Sequence, residues 1–203
     1  MASPAPKNAD RAAAPTRRTP LRKRLRPEVL YSFSFPTAGQ ARAAGAPGNL
    51  VPADKPGLRD LRKRYPGELR AAKFKILRAR LSSPTEDCWV IVDGEGAPAG
   101  YCHLAYASTV NERINHSVVV EKGREAYFFD DYVFKAHRGK GLHALSLARR
   151  CEIASERGIG IGLTTITRKN TASLRSYGKL GLRRTAVLLH LPAVKRTVRL
   201  RRR

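Results

Sequence analysis

Three cysteines in 203 residues, Cys88, Cys102 and Cys151, are too few and too scattered for a disulfide framework or a metal knuckle. Their odd count, with no secretory apolar stretch ahead of them, points to a reducing cytoplasm. The five histidines, His103, His116, His137, His143 and His190, include no His-x-x-x-His pair, so no catalytic metal is expected. No apolar run reaches the length that crosses a membrane. Acidic residues are scarce, at 16 against 40 Lys and Arg, for a formal charge of +24. The basic stretches lack interleaved aromatics, and no nucleic-acid-binding module is recognisable. Each absence removes a class: secreted disulfide scaffold, metalloenzyme, membrane span, dedicated nucleic-acid module.

The positive charge is unevenly spread. Residues 1–26 hold eight basic residues and one acid, and residues 183–203 hold eight and none. The first 26 residues are rich in Ala, Pro, Arg and Lys. They cannot bury enough apolar surface to offset the entropy of ordering, and are expected to be a disordered basic tail. Four prolines among the first twenty residues (Pro4, Pro6, Pro15 and Pro20) argue against an amphipathic mitochondrial presequence. The tail reads either as a solvated, solubilising arm or as an electrostatic arm for nucleic acid, an acidic carrier protein or an anionic membrane. Residues 27–203 are long enough for one domain with a proper core.

Val29, Tyr31, Phe33 and Phe35 alternate strictly, predicting a first strand over 27–36. Residues 37–56, rich in Gly, Ala and Pro, read as a loop. Residues 57–81 predict two basic helices broken at Pro66-Gly67, whose Arg59, Arg62, Lys63 and Arg64 make either a solvated face or an approach for an anionic acceptor. A hairpin follows, 88–92 with 99–107 around the turn at 93–98, as second and third strands. Residues 108–125 are polar, with Val118, Val119 and Val120 extending an edge. A strand at 126–134, a helix at about 140–156, a strand at 161–167, a helix at 171–179 and a closing pair at 185–191 and 194–200 complete the order. Helix-separated strands should be parallel neighbours and hairpin strands antiparallel, so the fold is mixed α/β.

Two stretches carry the chemistry. In the first, a β-branched and aromatic strand passes into Arg138-Gly139-Lys140-Gly141-Leu142-His143 and then a helix with Leu142, Leu145, Ala148, Cys151 and Ala154 at helical spacing. Free N–H groups, a positive helix end and two cations there suit a phosphate or pyrophosphate. In the second, Asn170 through Leu182, Asn170, Ser173 and Tyr177 share one helical face, and Asn170 is a good N-cap. Together these stretches resemble the GNAT N-acetyltransferase superfamily. Its pattern is Arg/Gln-x-x-Gly-x-Gly/Ala opening a helix, then Asn-x-x-Ala/Ser with a Tyr seven residues after the Asn and a Gly-Phe close. Arg138, Gly141, Asn170, Ser173, Tyr177 and Gly181 stand at matching offsets, while His143 replaces the second small residue and Leu182 the Phe.

The resemblance implies a mostly antiparallel twisted sheet with a central parallel strand pair, flanked by helices. It also implies acetyl-CoA or another acyl-CoA as co-substrate. The turn from Arg138 to His143 would hold the pyrophosphate, the backbone of Val133 and Phe134 would pair with the pantetheine arm, and Asn170 would hold that arm or only cap its helix. Tyr177 would protonate the departing thiolate, or else pack with a satisfied hydroxyl. Asp130 and Asp131 are expected on opposite faces of their strand, so that one alone points to the acceptor cleft, as a base through water or as an anchor for a cationic amine. His143 would touch phosphate or acyl chain, or be a surface change without effect. Cys151 falls on the apolar face and reads as core.

Three functional readings follow. In the first, an acyl group passes from acyl-CoA to a primary amine. In the second, the same fold uses an acyl carrier protein or charged tRNA as partner, which the charge favours. The third is a basic nucleic-acid-binding protein whose acyltransferase core is inactive.

Overall fold

The computed structural model describes residues 26–35, 48–112, 114–191, 194 and 196–201. The expected basic tail, apart from Arg26, lies outside them. Among the described residues ten strands and four α-helices follow in chain order: β1 (Arg26–Ser34), β2 (Gly48–Pro52), α1 (Lys55–Arg64), α2 (Ala71–Arg80), β3 (Glu86–Asp93), β4 (Pro98–Ala105), β5 (Thr109–Asn111), β6 (His116–Val118), β7 (Glu125–Val133), α3 (Leu142–Glu156), β8 (Ile161–Ile166), α4 (Thr171–Gly178), β9 (Arg183–Leu191) and β10 (Arg196–Arg201). Eight strands form one sheet in the order β10-β9-β1-β8-β7-β4-β3-β2, and β5 and β6 form a separate ribbon.

Every pairing in the large sheet is antiparallel except β7 with β8. That ladder is three pairs long, Glu125 with Ile161, Ala126 with Gly162 and Tyr127 with Leu163. Beyond it β7 follows β4 and β8 follows β1, so the sheet opens. The expectation that helix-separated strands are neighbours holds for β7 and β8 across α3, but not across α4. There β1 pairs with both β8 and β9 and lies between them.

Alternation along the strands sorts side chains onto two faces. Phe128 of β7, with Trp89 and Ile91 of β3, packs under Leu142, Leu145 and Cys151 of α3 and Tyr177 of α4. On the opposite face Val90 and Tyr101 meet Leu58 and Leu61 of α1 and Phe74 and Leu77 of α2. Tyr127, Phe129 and Leu163 are covered by Ile114, Val118 and Val120 around the β5–β6 ribbon. Helix α1 starts where Asp54 accepts the Gly57 N–H at 2.7 Å, with Pro in its first turn and Arg62, Lys63 and Arg64 in its last, an arrangement that suits the helix dipole.

The structure corrects several boundaries. The loop expected over 37–56 contains β2 and the start of α1. The hairpin strands are therefore third and fourth, and residues 108–125 hold a ribbon of their own rather than an extended edge. The alternation along β7 also slips: Phe129 and Asp130 fall on one face, where Arg80 of α2 meets both, while Asp131 lies on the other against Arg150 of α3, so the expectation of opposite faces for Asp130 and Asp131 holds. His103 of β4 pairs with Phe129 and Tyr101 with Tyr132, so β7 spends one residue more than β4 between the two pairs. Asp130 absorbs the bulge at φ 53°, and an extra residue in one strand resets which way its neighbours face.

Candidate active site

A cavity of about 570 Å³ lies where β7 and β8 part. Asp130 and Asp131 both line it, held from opposite faces of the sheet, so the expectation that only one of them reaches the cleft gives way to an opening that both faces share. His143, Asn170, Ser173 and Tyr177 line the same space, as do Glu28 of β1, Lys73 and Ile76 of α2, Glu112 after β5 and Thr165 of β8. Val133, Phe134 and the turn from Arg138 through Leu142 stand outside it.

Asp131 sits at the centre of the cavity's α3 side. Both terminal nitrogens of Arg150 donate to its carboxylate, at 2.7 and 2.5 Å. Arg150 also donates to the carbonyls of Ser146 and His103, which satisfies a guanidinium with no solvent exposure. Burial works against that charge, but Asp131, with smaller help from Cys102 and Tyr177, outweighs it and the guanidinium binds its proton more firmly than usual. Tyr177 donates to Asp131 Oδ2 at 3.2 Å. Burial and the Asp131 charge raise its phenol well above the ordinary value, so the hydroxyl keeps its proton. The His143 ring lies edge-on to Tyr177, with centroids 5.9 Å apart. Its Nε2 is 3.7 Å from Asp131, and its Nδ1 is buried without a hydrogen-bond partner. Burial lowers the imidazole's affinity for a proton and Arg150 adds to this, against the pull of Asp131.

Asp130 is held from the other side of the sheet. Lys73 Nζ reaches both of its oxygens at 2.5 Å, and Arg80 donates to Oδ2. Arg80 also donates to Glu112 at 2.5 Å, so one guanidinium ties α2 to the bulge and to the ribbon. Neither Arg80 nor Arg150 belongs to the motifs read from the sequence. A signal for both is nevertheless present: each occupies the apolar stripe of its helix, Arg80 after Phe74 and Leu77, Arg150 between Leu147 and Cys151. A cation in such a stripe needs a buried anion. Toward β1, Asn111 Nδ2 donates to the Tyr127 hydroxyl at 3.1 Å and to Thr165 at 2.9 Å.

The phosphate-turn residues form a separate feature along the opened edge. The N–H of Phe134 donates to Ala99 O at 2.9 Å and its buried ring stacks on Tyr65, so its amide is committed to the sheet. By the two-residue repeat of the ladder, the polar groups of Val133 face the other way, toward the opening. The Val133 carbonyl accepts from Arg138 Nε at 3.0 Å, and the Arg138 guanidinium lies over Tyr132. Gly139 and Gly141 have φ of 82° and 75°, which a residue without Cβ adopts freely. Gly141 caps α3 without a side-chain bond, and the first turn contains no acid. Lys140 is exposed beside it, and Leu142 turns inward to the core. Asn170 caps α4, its Oδ1 accepting the Ser173 N–H at 3.2 Å. Among the described residues no group of three or more His, Cys, Asp or Glu gathers to hold a metal.

A profile of the acetyltransferase (GNAT) family matches residues 56–182, well over half the chain. No curated protein matches. Among solved structures, the glucosamine N-acetyltransferase region of a fungal multi-domain β-N-acetylglucosaminidase aligns with a TM-score of 0.57 at 13% identity, over 80% of this chain and 20% of that one. A tandem GNAT protein from the clavulanic acid biosynthesis pathway aligns at 0.53 and 17%, over 78% and 50%. A GCN5-related N-acetyltransferase from Kribbella flavida aligns at 0.50 and 14%, over 84% and 60%. The chain thus spans less than two thirds of the length of these three proteins, and at such identities they share its fold. With the family profile covering both motif stretches, the chain belongs to the acetyltransferase (GNAT) family.

Proposed function

We propose that the protein is an N-acyltransferase that passes an acetyl or other acyl group from acyl-CoA to a primary amine. The observation that carries this reading is the opening between β7 and β8. After three residue pairs the strands part around a cavity that holds two carboxylates, and along the same opened edge, outside that cavity, stand the outward-facing groups of Val133 and the start of α3, which has no side-chain cap.

The residues present fit coenzyme A. A Cβ built on Gly139 would meet nothing within 4 Å, so the turn leaves room for a bulky anion. The N–H groups of the first turn of α3, with Arg138 and Lys140, would hold the pyrophosphate. The edge of β7 at Val133 would align the pantetheine arm, beside Asn170 and Ser173. The bound thioester supplies an activated acyl group, and the protein supplies position. Asp130 and Asp131, each already in an ion pair, are suited to orienting the amine, which gives its proton to solvent water before the neutral nitrogen attacks the thioester carbonyl. Tyr177 is the proton donor for the leaving sulfur. Its raised pKa makes full transfer costlier than the roughly 2 kcal/mol that free phenol and thiol would require, so the proton is shared as the sulfur departs.

An anionic carrier of donor or amine, an acyl carrier protein or a charged tRNA, is the second reading, supported by the exposed cations of α1 and α2. The free thiols of Cys88, Cys102 and Cys151 support a reducing cytoplasm. No helix among the described residues is long and apolar enough to cross a membrane.

Calorimetric titration with acetyl-CoA, longer acyl-CoAs and free CoA tests the proposal, alongside Arg138→Ala/Gly141→Asp. Micromolar binding that disappears in the variant, whose fold is checked by circular dichroism, is expected. Wild-type protein that binds none of these ligands overturns it.

A further inference from the structure

The face formed by α1 and α2 is charged in a way the cavity does not use. Lys55, Arg59, Arg62 and Lys63 are spaced i, i+4, i+7 and i+8, which sets them on one side of α1, while Leu58 and Leu61 turn to the core. Lys75 and Arg78 extend the same charge along α2. All six are exposed. The ion pairs of these two helices are Arg64 with Asp60, Lys73 with Asp130, and Arg80 with Glu86, Glu112 and Asp130. The six exposed cations therefore have no carboxylate partner among the described residues.

Their arrangement has a defined shape. Arg59, Arg62, Lys63 and Phe74 line a shallow hollow of about 460 Å³. The guanidinium of Arg62 lies 4.8 Å from the Phe74 ring centroid and that of Arg78 5.8 Å. Phe74 itself is only 7% exposed. Two forked donors are thus held by one ring, that of Arg62 lining the hollow and that of Arg78 beside it, which suits phosphate oxygens better than mobile lysines do. Phe74 adjoins Lys73, which lines the cavity, so the charged hollow and the cavity share α2.

What the face lacks decides the partner. A membrane needs large apolar side chains to insert, and a protein interface is anchored by apolar and aromatic side chains. Among the described residues the exposed large apolar ones are Val51, Val110, Val119, Val194, Val198 and Leu200. None belongs to α1 or α2. Dense unpaired charge without apolar anchors is the pattern for a phosphate backbone, where cations replace condensed counterions and supply the affinity. We propose that the α1–α2 face docks the phosphate backbone of a nucleic acid. This rests on the face itself and not on the acyl-transfer reading, so failure to bind coenzyme A leaves it standing.

Fluorescence anisotropy of labelled 20-nucleotide RNA and DNA, single-stranded and duplex, tests the proposal with the full chain across 50–300 mM potassium chloride. The variant Arg59→Gln/Arg62→Gln/Lys63→Gln should bind at least about tenfold more weakly. Its slope of log affinity against log salt for single strands should be shallower by about 2, because three cations no longer neutralise phosphates. A control with equal charge loss elsewhere, Lys179→Gln/Arg196→Gln/Arg199→Gln, should stay close to wild type, and all three proteins should melt together. Tighter binding of RNA or of DNA identifies the source of the phosphates, and equal binding leaves backbone recognition alone; each supports the docking face. Wild-type affinity in the α1–α2 variant, or an equal loss in the control, overturns it. So does competition by polyglutamate or anionic vesicles as effective as that by nucleic acid at matched charge.

Discussion

Arg150 grips Asp131 through both of its terminal nitrogens, and no part of the guanidinium reaches solvent. The pair joins α3 to the bulged end of β7 directly behind the cavity. Taking one member away leaves the other charged, buried and without its counter-ion, which costs about 3–5 kcal/mol. Arg150→Met should therefore lose that much stability in urea unfolding. Replacing both with apolar residues, Arg150→Met/Asp131→Leu, should restore most of it. A double variant no more stable than the single one would show that packing, not the stranded charge, sets the cost.

Tyr177 keeps its proton and points it at Asp131. Tyr177→Phe removes one hydrogen bond to a charged group and should cost about 1.5–3 kcal/mol of stability. If the hydroxyl also serves the leaving sulfur, turnover should fall by about 10²–10⁴-fold, while acyl-CoA affinity stays near wild type. A fall in affinity with unchanged turnover would move Tyr177 from the reaction to binding.

His103 is 1% exposed, its Nδ1 lies 3.4 Å from Asp130 O, and its Nε2 is buried with no hydrogen-bond partner. Burial, with Arg80 and Lys73 nearby, depresses its pKa from 6.5 to about 3 against the opposing charge of Asp130. Between those values the unfolded chain takes up a proton that the folded chain refuses. Stability is thus whole above pH 6.5 and is lost as the pH falls toward 3, by about 1.4 kcal/mol for each unit within the window. Urea unfolding of wild type and His103→Gln between pH 6.5 and 4 should show a steeper decline for wild type. Parallel declines would mean that the folded protein protonates this imidazole as readily as the unfolded one.

The parts of the fold that could be read from sequence are those where local pattern and tertiary role agree. Val29, Phe33 and Phe35 alternate and are buried. Leu142, Leu145, Cys151 and Ala154 recur at helical spacing and face the sheet. The glycine turn could be read because positive φ restricts residue choice. β2 could not: Gly48 to Pro52 is an edge strand paired with β3 alone, and an edge tolerates the Gly and Pro that signal a loop elsewhere. β5 and β6, three residues each, are too short to establish a period. The bulge at Asp130 is invisible in sequence for a different reason. It is a register difference between β7 and β4, a property of two strands together, and neither segment records it. The cavity inherits that blindness, since its ion pairs join residues 19 to 57 positions apart.

The three-pair ladder between β7 and β8 also divides the molecule mechanically. On one side of that seam stand β10, β9, β1 and β8, and on the other β7, β4, β3 and β2. Each half-sheet is knit by ladders of five to seven pairs, whereas the seam relies on three pairs and on what packs across it. In native-state hydrogen exchange the two halves should behave as separate cooperative blocks. A ligand lying along the parted edges would bind as a splint, and its occupancy would be written in the slowed exchange of amides it never touches.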